Sequence, residues 1–269
     1  MRGSLLGATR RQQILERVNT GGQVELSILV SELGCSPETL RRDLRALEQT
    51  GLLKRVYGGA IGISPAELPP LENRKDDERH GKARIAGLAK DLVEPKSLVF
   101  VGGGSTTLAV CAALAGSPKS TFVTTAIDVA ATLVSEGRHE VFLSGGAFDG
   151  PTRSVVGPET TEFIKCRVFD LAIIGISAIE LKYGFMGPTS AHIALTRVVR
   201  DQARQVMVVC DVTKFGRPGR YKLLDFSQVD VVVTNQRPAP EFAERLDLAG
   251  TRVVVPAAVD GPGADDDEG

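Results

Sequence analysis

The sequence predicts an α/β chain of two unequal units: a small helical unit ending in a β-hairpin, then a larger unit built on a mostly parallel sheet. Two observations carry this. Between residues 10 and 60, apolar residues recur at spacings of three and four before a short hairpin that ends in Gly58-Gly59-Ala60. From about residue 82, short apolar runs alternate with helical patterns, as expected for strands buried on both faces and covered by helices.

In chain order, helices are expected near 10–20, 26–33 and 37–50, with a two-stranded wing over about 52–63. Residues 64–80 are rich in proline and charge and read as a linker leading into a helix. Strands follow at 97–101, 120–124, 140–144, 170–175, 206–210, 229–234 and 251–255, with helices at 105–115, 126–136, 191–204 and 240–247 between them. The units are therefore 1–63, a linker at 64–80, an α/β unit at 81–256, and an acidic, disordered tail at 257–269 that holds Asp265, Asp266, Asp267 and Glu268.

Composition narrows the class. The chain has 269 residues, 42% of them hydrophobic, enough for substantial cores. Neither an apolar run of roughly 18 residues nor a signal peptide is present, so the reading is a soluble cytoplasmic protein without a membrane partner. Cys35, Cys111, Cys166 and Cys210 are isolated and read as reduced, buried thiols. His80, His139 and His192 are far apart, and His139 reads as exposed. Nothing points to a metal site, a cofactor or a catalytic set. The net charge of −1 is unevenly spread, because residues 1–60 hold nine Lys and Arg against six Asp and Glu. A local basic excess suits phosphate contact.

The stretch 36–60 gives that excess a shape. Ser36 is placed to cap a helix that opens with Pro37, and Leu40, Leu44 and Leu47 form its buried stripe. Ser36, Glu38, Thr39, Arg41, Arg42 and Arg45 are left on or near the open faces. A second helix that follows a tight turn reaches base edges in just this manner, from its N-terminal turns. Residues 26–34 supply the preceding helix, Gly34-Cys35 the turn, and Lys54 and Arg55 basic groups on the wing. A solvated amphipathic helix would explain the arginines alone, but not the ordered set.

In the larger unit the chemistry sits at the carboxyl ends of strands, where open α/β sheets bind ligands. Strand 97–101 runs into Gly102-Gly103-Gly104-Ser105-Thr106-Thr107 and then a helix, which predicts a phosphate cradle of backbone amides, a helix N-terminus and two hydroxyls. Neighbouring strand ends offer Thr124 and Thr125, Gly145 and Gly146, and Asp211 with Lys214. The expected effector set is thus Gly103, Gly104, Ser105, Thr106, Thr124, Thr125, Gly145, Gly146, Asp211 and Lys214, taking a phosphate plus hydroxyls. The loop matches neither Walker nor dinucleotide spacing.

Residues 10–60 resemble the winged helix-turn-helix of the DeoR family of bacterial sugar-metabolism regulators. The match runs through Arg11-Gln12-Gln13-Ile14, Glu32-Leu33, Ser36, Thr39-Leu40-Arg41-Arg42-Asp43-Leu44, Leu47-Glu48 and Gly58-Gly59-Ala60, with Cys35 where a larger apolar residue is usual. Residues 82–255 resemble the family's sensor domain, whose fold is related to ribose-5-phosphate isomerase. This second match rests on Lys82, Ile85-Ala86, Gly104-Ser105-Thr106, Gly145-Gly146, Gly157, 170–175, Gly184, and Asp211 with Lys214-Phe215-Gly216; the segments GISAIE and VMVVCDVTKFGR are similar to the glycerol-3-phosphate repressor branch. Gly102 stands where an Asp is common, Thr124-Thr125-Ala126 where Thr-Asn-Ser is, and His192 where a Glu is. The resemblance implies a repressor of carbohydrate genes that binds operator DNA as a homodimer or homotetramer and responds to a phosphorylated sugar or polyol. A sugar-phosphate isomerase and a DNA-bound protein with a ligand-blind sensor are the competing readings.

Overall fold

The computed structural model describes residues 7, 9–11, 13–15, 17–18, 23–49, 53–62, 71, 74 and 78–257. The tail expected over 257–269 therefore lies outside the described residues, apart from Ala257.

In the N-terminal unit, residues described between 7 and 18 are helical. Helices α1 (Leu26–Leu33) and α2 (Pro37–Gln49) follow, and strands β2 (Leu53–Val56) and β3 (Gly59–Gly62) form the wing. A strand the sequence did not announce, β1 (Gln23–Glu25), pairs antiparallel with β3 and makes the wing three-stranded. It is only three residues long, too short for alternation to show. Ile14, Val18, Leu29, Leu40, Leu44, Leu47 and Leu53 form one buried cluster, so the predicted leucine stripe of α2 does face the core. Gly34 ends α1 at φ 60°, and its N–H donates to the Val30 carbonyl at 3.1 Å, the left-handed stop that glycine permits.

The expected linker 64–80 carries structure at its described positions. Leu71 and Arg74 are helical, Leu71 is buried, and helix α3 already starts within it (Arg79–Lys90). Two leucines, Leu68 and Leu71, among prolines and charges give no periodicity to read, which is why the segment reads as a linker.

In the larger unit all seven expected strands appear: β4 (Leu98–Val101), β5 (Thr121–Thr124), β6 (Glu140–Leu143), β9 (Leu171–Gly175), β12 (Val206–Val209), β14 (Val231–Val233) and β15 (Arg252–Val254). They form one parallel sheet ordered β15-β14-β12-β9-β4-β5-β6. Helices α3, α4 (Ser105–Leu114) and α5 (Ile127–Val134) cover one face, burying Ile85, Val110 and Leu133 against Val99, Val101 and Ile173. Helices α6 (Pro158–Lys165), α7 (Ser190–Gln202) and α8 (Pro240–Leu248) contribute Ile164, Val199 and Leu246 to the cluster on the other face, with Phe100, Ile174 and Val208. Alternate residues of the inner strands enter opposite clusters, so their apolar runs are buried on both sides, while at the β6 edge Phe142 and Leu143 are exposed.

Two small antiparallel sheets were not anticipated. One joins β7 (Ala147–Asp149) to β8 (Ser154–Val156); the other joins β10 (Ala178–Glu180), β11 (Gly184–Gly187) and β13 (Tyr221–Leu224). The expectation of four buried thiols holds only for Cys111 and Cys210; Cys35 is half-buried and Cys166 exposed. His139 is not simply exposed either. Its ring packs edge-on against Phe122 and hydrogen-bonds the Leu114 carbonyl and the Ser120 N–H, tying together loops on either side of β5.

Candidate functional site

Two surfaces carry chemistry, one on each unit. On the first, the Thr39 N–H donates to Ser36 Oγ at 3.3 Å, satisfying a donor of the first turn of α2, and the two hydroxyls lie 2.9 Å apart. With the leucines turned inward, Glu38, Arg41, Arg42 and Arg45 are exposed on the opposite side. Glu38 and Arg41 are partners at 3.0 Å, so part of the basic face is internally balanced. The helix is held from behind by Asp43, which is buried and accepts from Arg10 at 2.6 Å. That carboxylate raises the pKa of Arg10.

On the wing, Arg55 is steadied by Glu48 of α2, whose second oxygen accepts the Arg55 backbone N–H at 2.9 Å. The Lys54 side chain lies outside the described residues. Gly59 is where β3 passes β1, and a Cβ there would sit 2.0 Å from the Val24 carbonyl oxygen. The Gly58 carbonyl accepts from the Leu26 N–H at 2.8 Å, fixing the wing turn to the start of α1. Fully exposed Tyr57 occupies the tip.

The second surface is a cavity of about 960 Å³, open mouth included, at the carboxyl ends of the parallel strands. Its place follows from topology. From β4 the chain builds outward through β5 and β6, then returns to lay β9 on the other side of β4, so the order reverses between β4 and β9. Gly102, Gly103, Gly104, Ser105 and Thr106 line the cavity from β4 and the start of α4; Ile174 through Ser177 line it from β9. Gly104 adopts φ 136°, which side chains disfavour, and Thr107 donates to its carbonyl at 2.8 Å. Gly103 is fixed by crowding instead: a Cβ would approach Ser154 Oγ to 2.6 Å.

Six of the ten expected effector residues line this cavity: Gly103, Gly104, Ser105, Thr106, Thr125 and Lys214. Four do not. Thr124 is buried, donating to the Val101 carbonyl at 2.7 Å and accepting from the Ala126 N–H at 3.1 Å, so its hydroxyl is spent on strand packing. Gly145 offers its carbonyl to Thr160 at 2.7 Å, and Gly146 turns the chain into β7 at φ 145°. Asp211 faces inward, where it accepts from the Thr213 N–H at 3.1 Å and lies 3.9 Å from the Lys214 ammonium. Strand-end logic placed these four at the correct edge, but local bonds turn them away.

The structure adds lining residues that spacing did not reveal. Lys82, at the start of α3, is buried and donates to the Arg74 carbonyl, and Arg74 itself lines the cavity. Burial, and then the nearby Arg217, pull the Arg74 pKa down. Thr152 and Ser154 enter from the β7–β8 hairpin, and His192 from α7, its Nδ1 2.8 Å from Thr189 Oγ1. Burial lowers the His192 pKa, opposed by Asp149. Gly102 donates its N–H to the Ile173 carbonyl at 2.9 Å, and a Cβ there would meet that oxygen at an ordinary 3.6 Å. The signal that could have found Lys82 was present, since it begins the quoted Lys82-Ile85-Ala86 match; Arg74 sat in the supposed linker.

No helix among the described residues is long and apolar enough to cross a membrane, and no group of metal-ligating side chains occurs among them. Residues 10–66 match the DeoR-like helix-turn-helix domain and residues 77–236 the DeoR C terminal sensor domain. The chain is 31% identical to the glycerol-3-phosphate regulon repressor of Escherichia coli K12, covering 85% of this chain and 91% of that one. It is 29% identical to the HTH-type transcriptional regulator GlpR of Haloferax volcanii, covering 93% and 98%. Among solved structures, ribose 5-phosphate isomerase A from Methanocaldococcus jannaschii superposes with a TM-score of 0.39 at 14% identity over 52% of this chain and 55% of that one, a likeness too distant to bear on activity. Matched along both units, the chain belongs to the DeoR family of DNA-binding transcriptional regulators.

Proposed function

We propose that this protein represses carbohydrate-metabolism genes and that a phosphorylated sugar or polyol, bound in the cavity, controls its hold on operator DNA. The observation that carries the reading is the pairing in one chain of an open α2 face, bearing Arg41, Arg42 and Arg45, with a cavity lined by the α4 N-terminus, Lys82 and Lys214. In the first, Arg41, Arg42 and Arg45 meet base edges or phosphates, Ser36, Glu38 and Thr39 border the groove, and Lys54 and Arg55 approach the backbone from the wing. In the second, amide groups at Gly103 and Gly104 and the hydroxyls of Ser105 and Thr106 take the phosphate, whose charge the helix N-terminus and the ammonium groups favour.

Residues 1–63 form the reading unit and residues 81–256 the sensing unit, joined by a segment whose Arg74 reaches the cavity. Two copies, as a dimer or within a tetramer, grip successive half-sites, and the ligand acts by binding unequally to the conformations that fit and misfit their spacing.

The isomerase reading is weaker on a specific point. Proton abstraction needs a carboxylate beside the substrate carbons. Among the described residues no Asp or Glu lines the cavity; Asp211 is engaged by Thr213 and Lys214, and Asp149 by Thr152. The test is selection of binding sites from a randomised duplex library with the full chain, followed by mobility shifts on the enriched duplex with and without phosphorylated sugars. Enrichment of a two-fold related sequence, with an affinity that changes on adding a phosphosugar, is expected. Recovery of no sequence would overturn the regulator reading for this chain.

A further inference from the structure

The two edges of the parallel sheet are finished differently. At one, β15 carries exposed Arg252 and runs on to Pro256, a charge and a missing donor of the kind that keep edge strands from pairing. At the other, no strand among the described residues pairs with the outer side of β6. Glu140 is the only charged residue of β6, and Phe142 and Leu143 are 38% and 43% exposed. The helix packed over β6 repeats the pattern. In α5, Val129 and Leu133 are buried, yet Ile127, Ala131 and Val134, spaced by four and three, form a second apolar stripe that is exposed. The one charged side chain of α5, Asp128, is held by Arg153 at 2.7 Å. A helix apolar on both sides is one that is covered on both.

The backbone of β6 specifies the cover. The Glu140 N–H donates to the Ser120 carbonyl at 3.3 Å and the Ser144 N–H to the Thr124 carbonyl at 3.0 Å. Phe142, between them, also turns its backbone toward β5, so Val141 and Leu143 turn theirs outward. A two-fold axis normal to the sheet at Phe142 lays β6 antiparallel to its own copy, with Val141 of each opposite Leu143 of the other. Those opposed residues exchange both of their backbone hydrogen bonds. Phe142 then meets the partner's Phe142 as a non-hydrogen-bonded pair, where side chains come closest. The segment is thus complementary to itself, apolar side chain against apolar side chain. Beside it, Arg167 is stacked on Phe163 at 3.7 Å and lies 5.6 Å from the Phe142 ring, a residue type that interfaces favour.

We propose that β6 and α5 form a two-fold interface between copies of this chain, β6 pairing antiparallel with itself about Phe142 so that two seven-stranded sheets join into one. It supplies a surface for the two copies that grip half-sites, yet it rests on the sheet edge and not on DNA binding.

Sedimentation velocity on the full chain, without DNA, tests this. The wild type is expected to be a dimer or tetramer at micromolar concentration. Phe142→Lys sets like charges face to face across the axis and should raise the dissociation constant at least tenfold, with far-UV dichroism unchanged. Phe142→Cys gives a second reading that needs no loss of affinity. The paired residues lie within disulfide reach, so mild oxidation should link the copies at least tenfold faster than in wild type, whose exposed Cys166 sets the background. A monomeric wild type overturns the interface. So does an assembly that Phe142→Lys leaves intact and Phe142→Cys fails to link, an outcome that puts the copies together elsewhere and leaves the regulator reading standing. If Phe142→Lys fails to fold, the cross-link alone decides.

Discussion

At Gly146 the backbone sits at φ 145°, and a Cβ would come within 2.2 Å of Thr160 Oγ1 and 2.7 Å of the Val156 carbonyl. The glycine permits the close passage of β7 beside β8. Gly146→Ala should destabilise the protein by on the order of 1–3 kcal/mol in urea unfolding, as expected for backbone forced into such a region; an unchanged midpoint would show that β7 can shift at no cost. The exposed arginines of α2 make the opposite prediction, since they hold little of the fold. Arg42→Ala should leave the melting temperature within experimental scatter yet weaken operator binding by about 1–3 kcal/mol if it reads a base, or reduce the salt slope by about 1 if it holds a phosphate. Operator affinity and salt slope both unchanged in the Arg41→Ala, Arg42→Ala double variant would remove α2 from the interface. His192 adds a pH dependence. Burial holds its pKa below the ordinary 6.5, so the unfolded chain takes up the proton first as pH falls. This contribution to stability is intact above 6.5 and is lost progressively below it. Melting temperatures at pH 7.5 and 5.5 should therefore differ less in His192→Gln than in wild type.

Among the elements, α2 depends on features at its two sides that the sequence displays. Ser36→Ala removes the acceptor of the Thr39 N–H and should cost about 1 kcal/mol, measurable by thermal unfolding; Ser36→Asp, which can still cap, should recover most of it. The same elements show what a sequence discloses. The central parallel strands are legible because they are apolar runs such as Val206–Val209, buried on both faces with nothing polar to interrupt them. The β7–β8 hairpin escaped because Ala147, Phe148 and Asp149 are too few and too exposed to establish a period. Helix α6 could have been found, since Gly157-Pro158 is a start signal. Much the same division holds in the cavity. Gly103 to Thr106 are contiguous and announce themselves, but Lys82 and Arg74 reach the site only because α3 packs over α4 beside the end of β14. Nothing in the spacing of Lys82, Ser105 and Lys214 along the chain encodes that meeting.

Over the whole molecule, the question is how a ligand in the sheet could influence a helix more than thirty residues earlier in sequence. A coupling requires an element whose state both sites bias. Arg74 is the described residue that meets the requirement: it lies in the segment that joins the two units, and its side chain lines the cavity. Leu71, three residues before it, is buried. An anion that engages Arg74 should therefore anchor the joining segment on the sensing unit and restrict the positions open to the DNA-reading unit. Proteolysis offers a direct measure, because trypsin cuts after Arg74, Lys75 and Arg79, and cleavage requires the backbone to open locally. Without ligand, the first cuts should fall within 64–80. With a bound phosphosugar, cleavage there should slow severalfold, while any cuts elsewhere in the chain keep their rates. In Arg74→Gln the remaining sites should lose this protection even at ligand concentrations that saturate the cavity by calorimetry. Equal cleavage rates with and without bound ligand would show that the signal leaves the cavity by another route.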